Sequence, residues 1–241
     1  MNSYRVPVNK NTTMRPYVVV NVAMSADGKL STRERRQVRI SGMQDFTRVD
    51  RLKAGCDAVM VGIGTVLADD PSLTVKGEEC RKHRQTRGVC EHPIRIVVDS
   101  RARTPPGAAI LHTGPGQRII AVSRAAEPGR IAALQEYATV IMAGESEVDL
   151  PALMDELGNR GIQRLMVEGG GTLIAGLIRK GLVHEIYTFI GNVIISGKDA
   201  PTLADGAGFL REEEFCPLTL IEARRIENGV LLHWKVEHPG P

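Results

Sequence analysis

The chain has 241 residues, 42% of them hydrophobic, enough to bury one substantial core, and a single large domain is expected rather than two small ones. No run approaches the roughly 18 apolar residues of a membrane span, and only 4% of residues are aromatic, which argues against a membrane protein and against a stacking nucleic-acid module. Four cysteines without a CxxC spacing exclude a disulfide scaffold, and the polar start MNSYRVPVNKNTTMRP lacks the apolar stretch of a secretory signal, so reduced thiols and a cytoplasmic protein are expected.

Residues 1–16 read as an N-terminal extension and 17–241 as one domain. YVVVNVA, from Tyr17, is a buried strand by its valine content. After a basic loop, Ser41 is placed to N-cap a helix from Gly42 to about Ala54, which Gly55 ends. DAVMVG, IRIVVDS, RIIAVS, TVIMA and RLMVEG follow as short apolar runs, the pattern of strands covered on both faces. Helices are expected over Glu127–Tyr137, with Pro128 in the first turn, and over Leu150–Leu157, with Asp149 as the cap. Their alternation with strands implies an α/β domain with a mostly parallel sheet. VHEIYTFIG and then LTLIEARRI-ENG-VLLHWKV close the chain as a strand and an antiparallel hairpin, with Asn228-Gly229 expected in the tight turn.

Charge is uneven along this framework. Lys29 to Lys53 holds eight Lys/Arg against three Asp/Glu, and Lys76 to Arg103 holds eight against four, so two basic segments sit on a slightly acidic remainder. Such segments suit anionic ligands or are simply solvated loops.

Several motifs imitate binding signatures and fail. GIGTVLA has Leu67 at the third glycine position of the dinucleotide fingerprint, and GGGTLI has Ile174 there. GNVIISGKD has one residue too many between its glycines for a Walker loop, and Asp199 stands where Ser or Thr is required. Cys80-x2-His83 with Cys90-x-His92 has zinc-ligand chemistry, but the second spacing is too tight for a knuckle, so no metal is expected. The run LMVEGGGTLIAGLI remains: a strand entering three glycines and leaving them as a helix, where free N–H groups and the helix dipole attract an anion such as phosphate.

Taken in order, SADGK, GIGTVLADDPSLTVK, VVDSR, VEGGGTL and GKDAPTL resemble the riboflavin-biosynthesis reductase family over nearly the whole chain. The resemblance implies a dihydrofolate reductase-like fold, a homodimer, and NADPH-dependent reduction of a ribosylamino pyrimidine phosphate to its ribitylamino form. No zinc deaminase motif accompanies it, as in stand-alone archaeal and fungal members, whose substrate is the diamino pyrimidine. The family pattern puts NADPH against Ala23, Thr65, Asp69, Ser100 and Gly169, Gly170, Gly171 and Thr172. Arg101 and Arg124, just past strands, are candidates for the 2′-phosphate, with Arg103 read as a solvated loop residue. Substrate maps onto Lys53, Leu73, Lys76 and Glu168, with lysines where the family often has arginine. Asp69, Glu168, Lys29 and Asp27 are candidate proton handlers. Reduction of the deaminated pyrimidine, or of a folate or pterin, is the alternative on the same fold, although the early Pro-Trp of folate reductases is absent and the lone tryptophan is Trp234. A nucleic-acid-binding module built on the basic segments is the alternative of another class.

Overall fold

Strands that are apolar along their whole length require cover on both faces, and the domain supplies it. The computed structural model describes residues 15–36 and 38–237, so residues 1–14 of the expected extension lie outside the described chain. Nine strands form one sheet: β1 (Tyr17–Met24), β2 (Ala58–Gly62), β3 (Ile94–Val98), β4 (Arg118–Val122), β5 (Thr139–Met142), β6 (Arg164–Gly169), β7 (Glu185–Ile190), β8 (Leu218–Ile226) and β9 (Gly229–Val236). Their order is β5-β4-β3-β2-β6-β1-β7-β9-β8. All pairs from β5 to β7 are parallel, and β9 pairs antiparallel with both β7 and β8. The helices are α1 (Met43–Ala54), α2 (Ile63–Asp69), α3 (Glu78–Thr86), α4 (Ala109–His112), α5 (Pro128–Gln135), α6 (Leu150–Asn159) and α7 (Gly171–Arg179).

Alternate strand residues serve opposite faces. Val18, Val20, Ala58, Met60 and Val167 pack with Leu153 and Leu157 of α6 and with Ile174 and Leu177 of α7. Val59, Val61, Val97, Ile120 and Met166 pack on the other side with Val66 of α2, Ile110 of α4 and Leu134 of α5. Each Val, Leu, Ile or Met side chain among them stabilises the fold by about 1.5–3 kcal/mol when fully buried. The chain runs outward from β2 to β5, and β6 then returns to lie between β1 and β2. That insertion makes a topological switch point, the place where open α/β sheets bind ligands beyond their carboxyl ends.

Local expectations fail where distant residues intervene. Gly42, not Ser41, is the N-cap of α1, and no side chain of its own neighbourhood caps it. Glu227 of the C-terminal hairpin does so instead, accepting a hydrogen bond from the Gln44 N–H at 3.3 Å, and its carboxylate occupies the space a Cβ on Gly42 would need. The hairpin turn is Glu227-Asn228, with φ +50° at Glu227, while Gly229 pairs with Ile226 as a strand residue. Gly229 is small because Phe189 lies against it. The basic stretch after Lys76, read as a loop, contains α3, whose Arg84 is buried and donates to the Ala54 and Cys56 carbonyls at 2.8 and 2.7 Å. Cys80 and His83 therefore sit on a helix. Among the described residues no group of His, Cys, Asp and Glu is gathered closely enough to hold a metal ion, and no helix is long and apolar enough to cross a membrane.

Candidate active site

A cleft of about 810 Å³ opens at the carboxyl ends of β1, β2, β3 and β6. Its wall carries Ala23 from β1, Thr65 and Asp69 from α2, Ser100 and Arg101 after β3, and Glu168 to Thr172 from the end of β6 into α7. These four segments are far apart in sequence and meet only because β6 inserts beside β2. Four arginines (Arg35, Arg101, Arg103, Arg179) and four acids (Asp69, Glu147, Glu168, Asp205) line it, so net charge does not select an anion here. Selection rests on where individual groups stand.

The three glycines answer two demands at once. Gly170 is the N-cap of α7 at φ +94°, a conformation closed to ordinary L-residues, and a Cβ there would stand 3.2 Å from the Gly62 nitrogen. The β2–α2 and β6–α7 turns are thus packed back to back through glycine. A Cβ on Gly169 would meet the Thr65 hydroxyl at 3.1 Å, and one on Gly171 would meet the Asp205 carboxylate at 2.5 Å. Close packing accounts for the small residues, while the backbone they leave bare faces the cleft at the N-terminus of a nine-residue helix. The cradle fits a dinucleotide pyrophosphate. Ser100 is pinned beside it, its hydroxyl accepting from the Val148 N–H at 3.0 Å and its carbonyl from the Ser123 hydroxyl at 2.8 Å.

Glu168 reaches the cleft through an irregularity that alternation does not reveal. Met60 pairs with Val167 and Val61 with Gly169, so Glu168 is the extra residue of a β-bulge between β2 and β6. Bulges re-aim side chains beside active sites. Its Oε1 lies 3.0 Å from the Lys53 ammonium, and both side chains are nearly buried, at 13% and 12% exposure.

The remaining expected residues lie elsewhere. Lys53, on α1, is paired with Glu168 and is not among the residues that line the cleft. Leu73 has φ +52° and a side chain buried in the core, so only its backbone is available to a ligand. Lys76 donates to the Ser72 and Thr74 hydroxyls, both at 2.8 Å, and the segment is tied to α1 by the Asp50 carboxylate, which accepts from the Lys76 and Gly77 N–H groups. Asp27 holds its own loop, accepting from the Ser25 hydroxyl and the Ile195 and Ser196 N–H groups, and these bonds lower its carboxyl to about 2. Lys29 belongs to the same loop, its N–H donating to the Ser25 hydroxyl. Arg124 is exposed, pairs with Glu145 at 3.1 Å and lies outside the cleft. Conversely, Arg35, Arg179 and the Asp205–Ala207 loop line the cleft without having been singled out. The one available signal was GKDAPTL, which ends two residues before Asp205.

Comparison with known proteins places the chain in a family. The RibD C-terminal domain pattern matches residues 16–232. The chain is 50% identical over 216 residues to a 2,5-diamino-6-ribosylamino-4(3H)-pyrimidinone 5′-phosphate reductase of Archaeoglobus fulgidus, covering 90% of this chain and 96% of that protein. It is 44% identical over 224 residues to the protein of the same name from Methanothermobacter thermautotrophicus, covering 93% and 100%. Among solved structures, RibD of Acinetobacter baumannii matches with a TM-score of 0.76 at 23% identity, over 93% of this chain and 59% of that one, which speaks for a shared fold.

Proposed function

Because the chain belongs to the RibD C-terminal domain family, with its dihydrofolate reductase-like fold, we propose that it reduces 2,5-diamino-6-ribosylamino-4(3H)-pyrimidinone 5′-phosphate to the ribitylamino compound with NADPH, in riboflavin biosynthesis. The carrying observation is convergence: ten positions matching the family motifs, Ala23, Thr65, Asp69, Ser100, Arg101, Glu168 and Gly169–Thr172, share one cleft at the switch point.

In this reading the N–H groups of Gly170 to Thr172 and the start of α7 hold the pyrophosphate, a charge–dipole contribution of about 0.3–1 kcal/mol, up to ~2 when partly buried. Arg101 takes the 2′-phosphate in place of Arg124, whose guanidinium is engaged outside the cleft. When bound, NADPH supplies a hydride. The closed sugar is not an electrophile: it must open to an imine, and opening requires a proton at the departing ring oxygen before C1′ can accept the hydride. Of the four candidate proton handlers, Asp69 and Glu168 face the cleft. Asp27 is ionised at neutral pH and committed to its loop. Ser72, Thr74 and Lys76 join an ammonium to two hydroxyls, a combination suited to the sugar phosphate.

Residues 17–241 act as one reductase domain, and the protein works as a homodimer. Strand β8 supports the second point: an edge strand exposed along nearly its whole length, with Leu218, Leu220 and Ile221 uncovered, is a surface that proteins normally pair or protect. The test of the reading is turnover. NADPH consumption is expected with the diamino substrate, with the ribitylamino compound as product; turnover of dihydrofolate in its place would replace this reading with that of a folate reductase.

A further inference from the structure

We infer that the domain carries a second ligand site, an apolar cavity that takes a small planar aromatic anion and acts on the cofactor cleft through a shared wall. The cavity, of about 490 Å³, lies between α7, the last three strands and the loop that follows Pro201. Ile186 and Thr188 of β7 border it together with Trp234 and Leu232, their direct partners on β9, so one face of the sheet forms that side.

Three features define the ligand. Trp234, Phe209 and Phe215 all line the cavity, and aromatic walls suit a flat ring, because offset and edge-to-face contacts add to the burial of its area. Thr188 is only 3% exposed, and its hydroxyl has no hydrogen-bond partner among the described residues; one polar group on the ring would satisfy it. Arg179 is the one cation of the lining, and the one acid, Asp205, is turned to its own loop, where its Oδ1 accepts from the Thr202 N–H and hydroxyl at 3.0 and 2.7 Å. Arg179 uses one N–H on the Gly208 carbonyl at 3.1 Å and makes no ion pair among the described residues. Its other donors are open to a carboxylate or sulfonate.

The segment from Leu203 to Phe209 divides the cavity from the cleft. Leu203 and Phe209 border the cavity, Gly206 and Ala207 the cleft, and Asp205 both. The Asp205 N–H donates to the Gly171 carbonyl at 3.1 Å, which ties the segment to the glycine cradle. A ligand packed on Leu203 and Phe209 holds the segment in the conformation that lines the cleft, so the cofactor meets a wall already ordered. By linkage each ligand then raises the affinity of the other by one factor. This coupling rests on the reductase reading; the site itself does not.

Trp234 is the only tryptophan of the chain, so its emission reports the cavity. Titrating the intact protein with 8-anilinonaphthalene-1-sulfonate is expected to quench it saturably, and N-phenyl-1-naphthylamine, the same rings without the sulfonate, is expected to bind about tenfold more weakly. Cys216→Phe, placed to fill the cavity, is expected to abolish binding; should it fail to fold, Thr188→Val, close to threonine in shape, is expected to weaken binding about threefold. Saturating NADP⁺ is expected to tighten the probe about fivefold or more. Absence of saturable quenching, or undiminished binding by the folded variants, would overturn the site, and displacement of the probe by NADP⁺ would do the same by putting it in the cofactor cleft. Binding confined to a Leu220→Glu, Ile221→Lys protein would overturn it too, by making the cavity a seat for a second copy of the chain. A probe affinity that ignores bound NADP⁺ would overturn the coupling. Protein that binds the probe but, by calorimetry, no NADP⁺ would instead sink the reductase reading and leave the site standing.

Discussion

Where β3 and β4 begin, the arginines are consumed by the fold; where β3 ends, they stand open on the cleft. Arg95 is fully buried and donates to the carbonyls of Thr113, Pro115 and Gly116, and Arg118 donates to those of Gly114 and Gly116. Burial pulls the Arg95 guanidinium down to about 10, with the neighbouring charge of Arg118 adding to the effect. At the opposite end Arg101 lies exposed on the cleft with no ion-pair partner among the described residues, and Arg103 stands 3.9 Å from Asp99. Arg84, Arg95, Arg101 and Arg103 all belong to one basic segment, Lys76 to Arg103. A count of charges cannot divide it. Which arginine the fold consumes is decided by which carbonyls it leaves in need of a donor, since a buried carbonyl without one costs about 1–3 kcal/mol.

The largest effect should come from the cleft end. Gly170→Val forces a β-branched residue to φ +94° and drives a side chain toward Gly62, a strain of order 1–3 kcal/mol that displaces the start of α7. NADPH-dependent turnover is expected to fall about 100-fold or more, as for other small misplacements of a binding element; a kinetic assay showing wild-type rates would remove the cradle from the mechanism. Next, Arg95→Met is expected to cost about 2–4 kcal/mol in urea unfolding with kcat/KM unchanged, because the Thr113 and Pro115 carbonyls it satisfies have no other donor among the described residues. Arg101→Ala is its mirror image: stability within about 0.5 kcal/mol of wild type, and a roughly tenfold or greater drop in the preference for NADPH over NADH. If the two variants traded outcomes, the contrast between the ends of the sheet would be wrong.

Two weaker effects extend the comparison to other regions. Charging β8 with Leu220→Glu and Ile221→Lys should leave the fold intact and convert a dimer to a monomer in sedimentation; an unchanged dimer would move the interface elsewhere. Asp27 offers a pH test. Its folded carboxyl is lowered from 3.8 to about 2, so its contribution to stability is present above the unfolded value and is lost as pH falls toward 2. Asp27→Asn should therefore melt below wild type at neutral pH, and the gap should close between about pH 4 and pH 2. A gap that stayed constant would mean the loop hydrogen bonds do not depend on that charge.

Legibility followed the range of the forces involved. Strands such as Ala58–Gly62 and Arg164–Gly169 were readable because burial on both faces leaves an apolar run, and the Asp149 cap was readable because its donor, three residues away, is local: Asp149 accepts from the Ala152 N–H at 3.0 Å. The cap on α1 was not readable, because Glu227 arrives from the far end of the chain. Helix α3 was hidden by its mean polarity; only Arg84 among its residues is buried, so no apolar stripe marks it. In the cleft, the glycine cradle, Glu168 and Lys53 could be named in advance, but not the bulge at Glu168 or the ion pair that joins it to Lys53.

What the amino-acid order determined by itself was the set of strands, the α/β class, the helix start at the glycines and the residue types able to hold a phosphate, all consequences of periodicity and backbone freedom within a few neighbours. Tertiary structure alone decided that β6 enters between β1 and β2, that the β2–α2 and β6–α7 turns touch through Gly62 and Gly170, and that Lys53 faces Glu168 rather than open solvent. Those outcomes depend on pairing across more than a hundred residues, where the free energy belongs to the assembled sheet and to no segment of it.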